Sequence, residues 1–324
     1  MAITGKLESR GAGLQERRGV LLSAAFLGVA AMLAYANSFT VPLLFDDGVT
    51  ILHNPRLRQL WPIWSALNPP ESTGVGGRPI ANLSFVLNYA VSGDSVPGFH
   101  AVNLAIHFLA GLTLFAIVRR TLLLPQWSER LRRSAGGVAL AAAALWMLHP
   151  VQTQSVTYVS QRTESLMGLF YFLTLHAFIR AVTSGGSRRW YVVAVASCFA
   201  GMGTKEGMVT VPVIIFLYDY AFLSRSFGAA WRARWRLHLG LASSWIMLAI
   251  LMSGLRGRGV GFGLGMSWWS YLLIEFKAIM HYLSLSFWPA PLVFDYGVDL
   301  GRPGLMDALA AAGVVMLGIC TSWA

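Results

Sequence analysis

The sequence is poor in charge and in cysteine. Only 12% of its 324 residues are charged, against about a quarter in soluble domains, while 56% are hydrophobic. This shortage of charge excludes an ordinary soluble domain and indicates a polytopic membrane protein. The two cysteines, Cys198 and Cys320, both lie in apolar stretches, so neither a disulfide framework nor a cysteine metal site is supported.

Apolar segments long enough to cross a bilayer recur along the chain. We predict about eight transmembrane helices, near 19–37, 101–122, 135–150, 164–182, 190–206, 208–224, 237–255 and 305–322. A further aromatic stretch, 268–291, either spans the membrane, lies in its interface or re-enters it. The predicted fold class is therefore an all-α, polytopic membrane helical bundle. The first apolar run ends in Ala34-Tyr35-Ala36, which resembles a signal-peptide cleavage site, but we favour an uncleaved anchor because later spans also hold the chain in the membrane.

The basic residues, which give a net charge of +11, cluster between alternate spans. Sixteen of the 25 flank the cytoplasmic ends of the predicted spans: Lys6, Arg10, Arg17, Arg18, Arg119, Arg120, Arg130, Arg132, Arg133, Arg180, Arg188, Arg189, Arg225, Arg232, Arg234 and Arg236. The positive-inside rule then makes 1–18 a basic cytoplasmic N-terminus and places the loops 38–100, 150–163 and 256–304 and the turn near 205–207 outside the cytoplasm. No basic stripe alternates with aromatic residues, so the charge does not indicate nucleic acid as a partner.

Two features of the extracytoplasmic loops stand out. In the first loop, Ile80, Leu83, Val86, Leu87 and Ala90 follow helical spacing, which predicts an interfacial helix whose apolar face lies on the membrane or packs on the bundle. In the last loop, glycines alternate over 257–265. This spacing matches neither the dinucleotide nor the P-loop pattern, and we predict a mobile loop that closes over a site.

Ionisable and amide side chains are concentrated in the predicted extracytoplasmic segments. The candidates are Asp46, Asp47, Arg78, His100, Asn103, His107, His149, Gln154, Arg162, Lys205 and Glu206. Such groups are costly at the edge of a bundle, which favours a functional site. Structural alternatives stay open for each motif, such as a solvated turn for the two aspartates. His100 and His107 are two helical turns apart, about 10 Å, which is too far for one metal ion.

Acids and bases at a membrane surface suit the transfer of a sugar from a lipid-phosphate donor. An aspartate acts as general base on the incoming hydroxyl, and fixed arginine or lysine side chains hold the departing phosphate. The donor is a membrane lipid, so the site must lie at the interface, where Asp46 and Asp47 fall.

Five ordered motifs resemble the membrane portion of the TMTC-type (transmembrane and tetratricopeptide repeat-containing) proteins and their bacterial relatives, which are similar to GT-C glycosyltransferases. The motifs read FDDGVTILHNP, GRPIANLSFVLNYAVSG with GFHAVNLAIH, LHPVQTQSVTYVSQRTESL, TKEGMVTVPVIIFLYDY and HYLSLSFWPAPLVFDY, and the resemblance extends from about residue 20 to residue 300. The resemblance implies a GT-C-like transmembrane domain over 19–324. It also implies transfer of mannose or a similar hexose from a polyprenyl-phosphate-linked donor to a hydroxyl of a protein or glycan acceptor.

The resemblance assigns roles to individual residues. It makes Asp46 the general base and Asp47 a supporting acid that orients Asp46 or a divalent cation, Mg or Mn. It makes Arg78, Arg162 and Lys205 ligands of the donor phosphate. The wider substrate-binding set is Arg78, His100, Asn103, His149, Arg162, Lys205 and Glu206. Gln154 departs from the pattern, because relatives carry an acid there.

Two alternatives remain open. One is a transporter or flippase of a lipid-linked substrate, which would place charges and helix breaks within the spans; Pro212 and Asp219 are the main examples here. The other is a catalytically inactive scaffold, which the lack of a 34-residue tetratricopeptide pattern and the chain end at LGICTSWA favour. The predicted location is the inner membrane of a bacterium, with the site facing the periplasm.

Overall fold

The computed structural model describes residues 2–253, 267–295 and 304–323, and these residues form helices and loops without strands. In chain order the helices are α1 (Ala2–Ala34), α2 (Ile63–Ala66), α3 (Pro79–Ser92), α4 (Val96–Leu122), α5 (Glu129–Arg133), α6 (Ala135–Leu148), α7 (Thr153–Thr157), α8 (Arg162–Thr183), α9 (Arg188–Met202), α10 (Val211–Tyr218), α11 (Phe227–Ala242), α12 (Ser244–Ser253), α13 (Trp268–Phe287) and α14 (Leu305–Trp323). The predicted all-α bundle is confirmed. The alternating glycines of 257–265 lie outside the described residues.

Fewer helices meet the length of a full span than the sequence predicts. Within the described ranges five helical segments are long and apolar enough to cross a membrane, and a sixth arises if the bent pair Ala135–Leu148 and Pro150–Thr157 counts as one span. Helix α9 has only 15 residues, about 22 Å of helix, against a hydrocarbon core of about 30 Å. The interruption at Pro150 bends the predicted third span by 51° because proline cannot continue the hydrogen-bond ladder.

The chain divides into two compact units. The first comprises Met1–Leu148 and Ser155–Leu255, and the second comprises His149–Gln154 and Arg256–Ala324. In the second unit α13 packs on α14, and Lys277 forms an ion pair with Asp307 at 2.8 Å. The proposed boundary between a basic N-terminus and a transmembrane domain at residue 19 stays a prediction, since α1 is continuous across it.

Helix α4 is central to the first unit, with α6 on one side and α8 on the other, and α8 in turn packs on α9. Small residues allow the close approach of α4 and α6. A Cβ added at Gly111 would lie 2.8 Å from Met147 Sδ, and Ala139 and Ala143 are fully buried. Close backbone approach through small residues is a common way for membrane helices to associate.

The ends of the first unit carry different polar groups. Helices α3, α4 and α8 begin at one end, where Ile80 N donates to Gly203 O just after α9 ends, at 2.9 Å. The other end holds the C-terminus of α4, where Thr121 Oγ1 lies 2.6 Å from Tyr218 Oη. The 27 residues of α4 separate the two ends by about 40 Å.

The predicted interfacial helix is present as α3, and both predicted arrangements of its apolar face occur along it. Phe85 and Asn88 are buried, whereas Leu87 is 48% exposed. The predicted apolar face is divided: Val86 is 1% exposed and Leu83 packs against the same core, so that part packs on the bundle as one of the two alternatives predicts, while Leu87 and Ala90 are exposed. The exposed Leu87 face is the one available to a membrane.

Candidate functional site

The two neighbouring aspartates occupy different environments. Asp47 is 1% exposed, and its carboxylate accepts N–H donors from Leu44 at 3.0 Å and from Ser160 at 2.7 Å. Burial raises the pKa of Asp47, while the two N–H donors act in the opposite direction. Asp46 is exposed, and its carboxylate makes no hydrogen bond or ion pair with any residue that the structure describes. Asp47 therefore fixes the loop, and Asp46 presents its carboxylate to solvent.

The backbone around Asp46 is held in an uncommon conformation. Phe45 has φ +44°, in the left-handed region that a side-chain-bearing residue rarely adopts. Asp46 N donates to Tyr158 Oη at 2.9 Å. On the other side of Phe45, the N–H of Leu44 donates to the Asp47 carboxylate and closes the turn. Residues held in such strained conformations cluster at functional sites, where neighbouring contacts enforce them.

Gly74 lies against Asp46 on one side and hydrogen-bonds to Arg78 on the other. A Cβ at Gly74 would lie 3.9 Å from Asp46 Cβ and 2.7 Å from Thr50 Oγ1, while Gly74 O accepts from Arg78 Nη1 at 2.9 Å. Arg78 also donates to both carboxylate oxygens of Glu206, at 3.0 Å to Oε2 and 3.2 Å to Oε1. This planar, two-oxygen pairing orients the guanidinium beside the loop that carries Asp46.

Lys205 lies next to that pair and forms an ion pair with Glu164. The Lys205 side chain keeps 26% of its surface exposed, against 17% for Arg78. An ammonium has three N–H donors, and the contacts within the described residues use one. Lys205 is therefore the cation of this cluster with the most capacity left for an incoming anion.

Arg162 is the largest fully buried side chain of the described residues. Its guanidinium donates to Asn103 Oδ1 at 2.6 Å, Asn88 Oδ1 at 2.7 Å, Phe99 O at 3.0 Å and Ser84 O at 3.2 Å. It also lies 4.2 Å from the centre of the Phe85 ring. These contacts join α3, α4 and α8, so the structure places Arg162 inside the bundle rather than on a surface that a donor could reach.

The polar residues at the start of α4 also make internal contacts. His100 Nε2 lies 3.0 Å from Val41 O, and His107 Nε2 lies 2.8 Å from Met147 O. A carbonyl can only accept, so these contacts assign the ring proton to Nε2 in both histidines. Asn103 donates to Val156 O at 3.2 Å and Val159 O at 3.3 Å. This polar stripe therefore joins α4 to the segments on either side of it.

His149 and Gln154 belong to the second unit. His149 Nδ1 accepts the N–H of Val151 at 3.3 Å and caps a short turn, and Gln154 Nε2 donates to Phe294 O at 3.3 Å. The other candidates all lie in the first unit. Those at the end where α3, α4 and α8 begin are Asp46, Asp47, Arg78, His100, Asn103, Arg162, Lys205 and Glu206, and His107 lies two turns further along α4 than His100.

The site also depends on residues that sequence reasoning did not assign a role. Tyr158 accepts the backbone N–H of Asp46, and Gly74 lies between Asp46 and Arg78. Tyr158 lies inside one of the resembling motifs and Gly74 in the glycine-rich segment 74–77. A hydroxyl that accepts a backbone N–H from 112 residues away leaves no signal in the local sequence.

The residues present do not suit a cation shared by Asp46 and Asp47. Both oxygens of Asp47 accept backbone N–H donors in a buried position, so they are directed away from a site open to Asp46. Among the described residues, no group of three or more His, Cys, Asp or Glu side chains is arranged to hold a metal ion.

The fold and the charged cluster define a polytopic, all-α membrane protein with a polar site at one end of its first helical unit. Within that class the chain is homologous to animal TMTC proteins. It is 31% identical over 205 residues to protein O-mannosyl-transferase Tmtc2 of Drosophila melanogaster, covering 58% of this chain and 20% of that protein. The human protein O-mannosyl-transferases TMTC4 and TMTC1 are 26% and 28% identical over 218 and 230 residues, covering 61% and 64% of this chain.

The predicted resemblance is thereby confirmed, and its extent fits the membrane portion of these relatives. The chain matches only 20 to 29% of the length of the three relatives named above. No protein-family model matches the chain. No solved structure matches it.

Proposed function

We propose that the chain is a membrane glycosyltransferase that moves mannose or a similar hexose from a polyprenyl-phosphate-linked donor to an acceptor hydroxyl. Homologues with the name O-mannosyl-transferase support the reaction class. The single observation that supports the proposed catalytic site is the contrast between two adjacent aspartates. Asp47 is buried and hydrogen-bonded, while Asp46 is exposed on a strained turn next to Gly74, whose carbonyl accepts from Arg78.

In this proposal Asp46 is the general base. Its carboxylate accepts the proton of the acceptor hydroxyl as the hydroxyl oxygen bonds to the anomeric carbon of the donor sugar. The bond between that carbon and the phosphate oxygen breaks, and the lipid phosphate leaves with the electron pair. A positioned base contributes roughly 10² to 10⁴-fold to such a step.

Lys205 and Arg78 stabilise the leaving phosphate, whose charge grows as the bond breaks. Glu164 and Glu206 hold these cations in place by ion pairs. Arg162 acts as a positioning residue, because its buried contacts orient α3, α4 and α8 around the Asp46 loop. This role replaces the direct phosphate contact expected from the motif.

We place the site on the extracytoplasmic side of the membrane. The support is the distribution of arginines. They gather at the opposite end of the first unit, near the C-terminus of α4 and the N-termini of α9 and α11, and cytoplasmic ends of spans are rich in arginine and lysine.

The test is the substitution Asp46→Asn, which keeps shape and removes the base. Membranes containing the full chain are supplied with a radiolabelled polyprenyl-phosphate mannose and acceptor, and transfer is normalised to protein level. We expect a fall of at least 100-fold. Asp94→Asn is the matched control, because Asp94 is an exposed acid of the same polar segment, 63% exposed and 3.5 Å from Arg58. Transfer by Asp46→Asn within threefold of the unsubstituted chain would refute the assignment.

A further inference from the structure

A basic groove opens at the end of the first unit opposite Asp46, between the N-terminal halves of α9 and α11. Its volume is about 890 Å³, within the range of about 300 to 1,000 Å³ that holds small ligands. The residues that define its chemistry are Arg188, Arg232, Arg236, Tyr191, Trp235 and Ala196. The proposed glycosyl transfer uses none of them.

The position of the groove follows from the helix directions. Helices α9 and α11 both begin at this end. Further along, toward their C-terminal ends, they contact each other where Cys198 Sγ lies 4.0 Å from Leu241 O. Helix α8 begins at Arg162 beside the candidate site and runs 22 residues to Thr183, just before the groove. That length corresponds to about 33 Å, so a ligand in the groove is remote from Asp46.

The charge of the groove is not balanced by protein acids. Among the ion pairs of the described residues, none involves Arg188, Arg232 or Arg236. A fourth lining arginine, Arg234, is different, because it donates to Asp219 Oδ1 at 2.6 Å. Three arginines thus converge on one opening with their donors available, which suits a bound anion.

A backbone break in α11 shapes the groove. Arg234 has φ −141° and ψ 24°, outside the helical region. Its guanidinium is tied to the π-helical turn Asp219–Ser224 through Asp219 and through Ser224 Oγ, at 2.9 Å. The fully buried Asp219 therefore holds the break in place, and Arg232 and Arg236 lie on either side of it.

The walls indicate a lipid rather than a free ion. Ala196 and neighbouring apolar residues line the side of the groove toward the middle of α9, and Trp235 is 44% exposed with Arg236 over its ring at 5.3 Å. Aromatic rings beside arginines mark the headgroup level of a membrane. Clustered arginines at that level attract anionic headgroups.

We propose that this groove binds the headgroup of an anionic phospholipid, with the phosphate on Arg188, Arg232 and Arg236 and the acyl chains against the apolar wall at Ala196. The bound lipid would neutralise three unpaired arginines and cover the break in α11. This site is independent of the proposed glycosyl transfer, and its test needs no measurement of activity.

The experiment is native mass spectrometry of the full chain in a neutral detergent. The probes are phosphatidylglycerol, phosphatidylcholine with the same acyl chains, and inorganic phosphate. The groove variant is Arg232→Gln with Arg236→Gln. The matched control is Arg130→Gln with Arg132→Gln, which removes two exposed arginines of α5 outside the groove.

We expect one tightly retained phosphatidylglycerol, preferred at least tenfold over phosphatidylcholine. The groove variant should weaken the retention of phosphatidylglycerol by roughly tenfold or more, which corresponds to about 1.4 kcal/mol of binding free energy. The control variant should change this retention by less than twofold. Ala196→Trp, which fills the apolar wall and leaves the arginines, should also weaken retention.

Three outcomes would overturn the proposal. Equal retention of the two lipids would show that the groove does not distinguish an anionic headgroup from a zwitterionic one. Equal loss in the α5 control would show diffuse attraction rather than a groove. Displacement of phosphatidylglycerol by millimolar inorganic phosphate, with no effect of Ala196→Trp, would assign the groove to a soluble anion. Should the groove variant fail to fold, the lipid comparison and Ala196→Trp still test the proposal: a preference for phosphatidylglycerol that Ala196→Trp weakens supports it, and the first or the third outcome overturns it.

Discussion

Replacing Arg162 by lysine separates a structural role from a substrate-binding one. Lysine keeps the positive charge but offers three donors from one point, whereas Arg162 donates to four protein oxygens from a planar fork. At least one of the acceptors on Asn88, Asn103, Phe99 and Ser84 is then left without its donor. The acceptor oxygens of Asn88 and Asn103 belong to buried side chains, and a buried acceptor without a donor lowers stability.

The expected loss of stability follows from these contacts. A hydrogen bond from a charged group contributes about 1.5 to 3 kcal/mol, so the loss of one or two gives about 2 to 5 kcal/mol. For a unit of about 150 to 250 residues this lowers Tm by roughly 5 to 15 °C. The measurement is thermal unfolding of the detergent-solubilised chain by intrinsic fluorescence. Arg132→Lys, at an exposed position on α5, should stay within about 2 °C.

The reasoning fails if Arg162→Lys unfolds at the same temperature as the unsubstituted chain. An unchanged Tm combined with a raised KM for the lipid-linked donor would instead support the direct phosphate contact that the motif predicts. A lower Tm with the KM of the surviving folded protein unchanged would support the positioning role.

Three further predictions concern the loop and its cations. Lys205→Met should lower kcat/KM for the donor at least tenfold with little change in Tm, because its partner Glu164 is 36% exposed and can be solvated; an unchanged kcat/KM would remove Lys205 from the phosphate site. Gly74→Ala should lower Tm by several degrees, since the new Cβ would lie 2.7 Å from the buried Thr50 Oγ1; a neutral result would show that the turn can shift. Burial raises the pKa of Asp47 above its value in the unfolded chain, so its contribution to stability is full below about pH 4 and is lost as pH rises through the folded pKa. The Tm difference between the unsubstituted chain and Asp47→Asn should therefore shrink from pH 4 to pH 7 in parallel melts, and a difference that grows with pH would contradict the burial argument.

Hydropathy was sufficient to predict the helices of the first unit that span the membrane. The spans predicted near 101–122 and 164–182 fall inside α4 and α8, because a 20-residue apolar segment has few alternatives to a helix in a bilayer. The bend at Pro150, the shortness of α9 and the shortness of the apolar helix Leu305–Thr321 reduced the number of full spans. Both depend on where a helix ends, which average hydropathy over a window does not resolve.

The different environments of Asp46 and Asp47 could not be predicted from the sequence. Adjacent identical residues carry the same local signal, and what separates them is Ser160, whose N–H comes from 113 residues away to reach Asp47. The buried contacts of Arg162 also left no signal in the sequence. Its role depends on amides from α3 and α4 that meet it only in the folded bundle.

The central claim is that Asp46 acts on substrate while Asp47 holds the loop. It is tested most directly by measuring sugar transfer and Tm in parallel for Asp46→Asn and Asp47→Ala. We predict that Asp46→Asn loses at least 100-fold in transfer and keeps its Tm within about 2 °C. Asp47→Ala should lose about 2 to 5 kcal/mol of stability, because it leaves the N–H groups of Leu44 and Ser160 unpaired. The opposite pattern, with transfer lost in a fully stable Asp47 variant and retained without Asp46, would contradict the account.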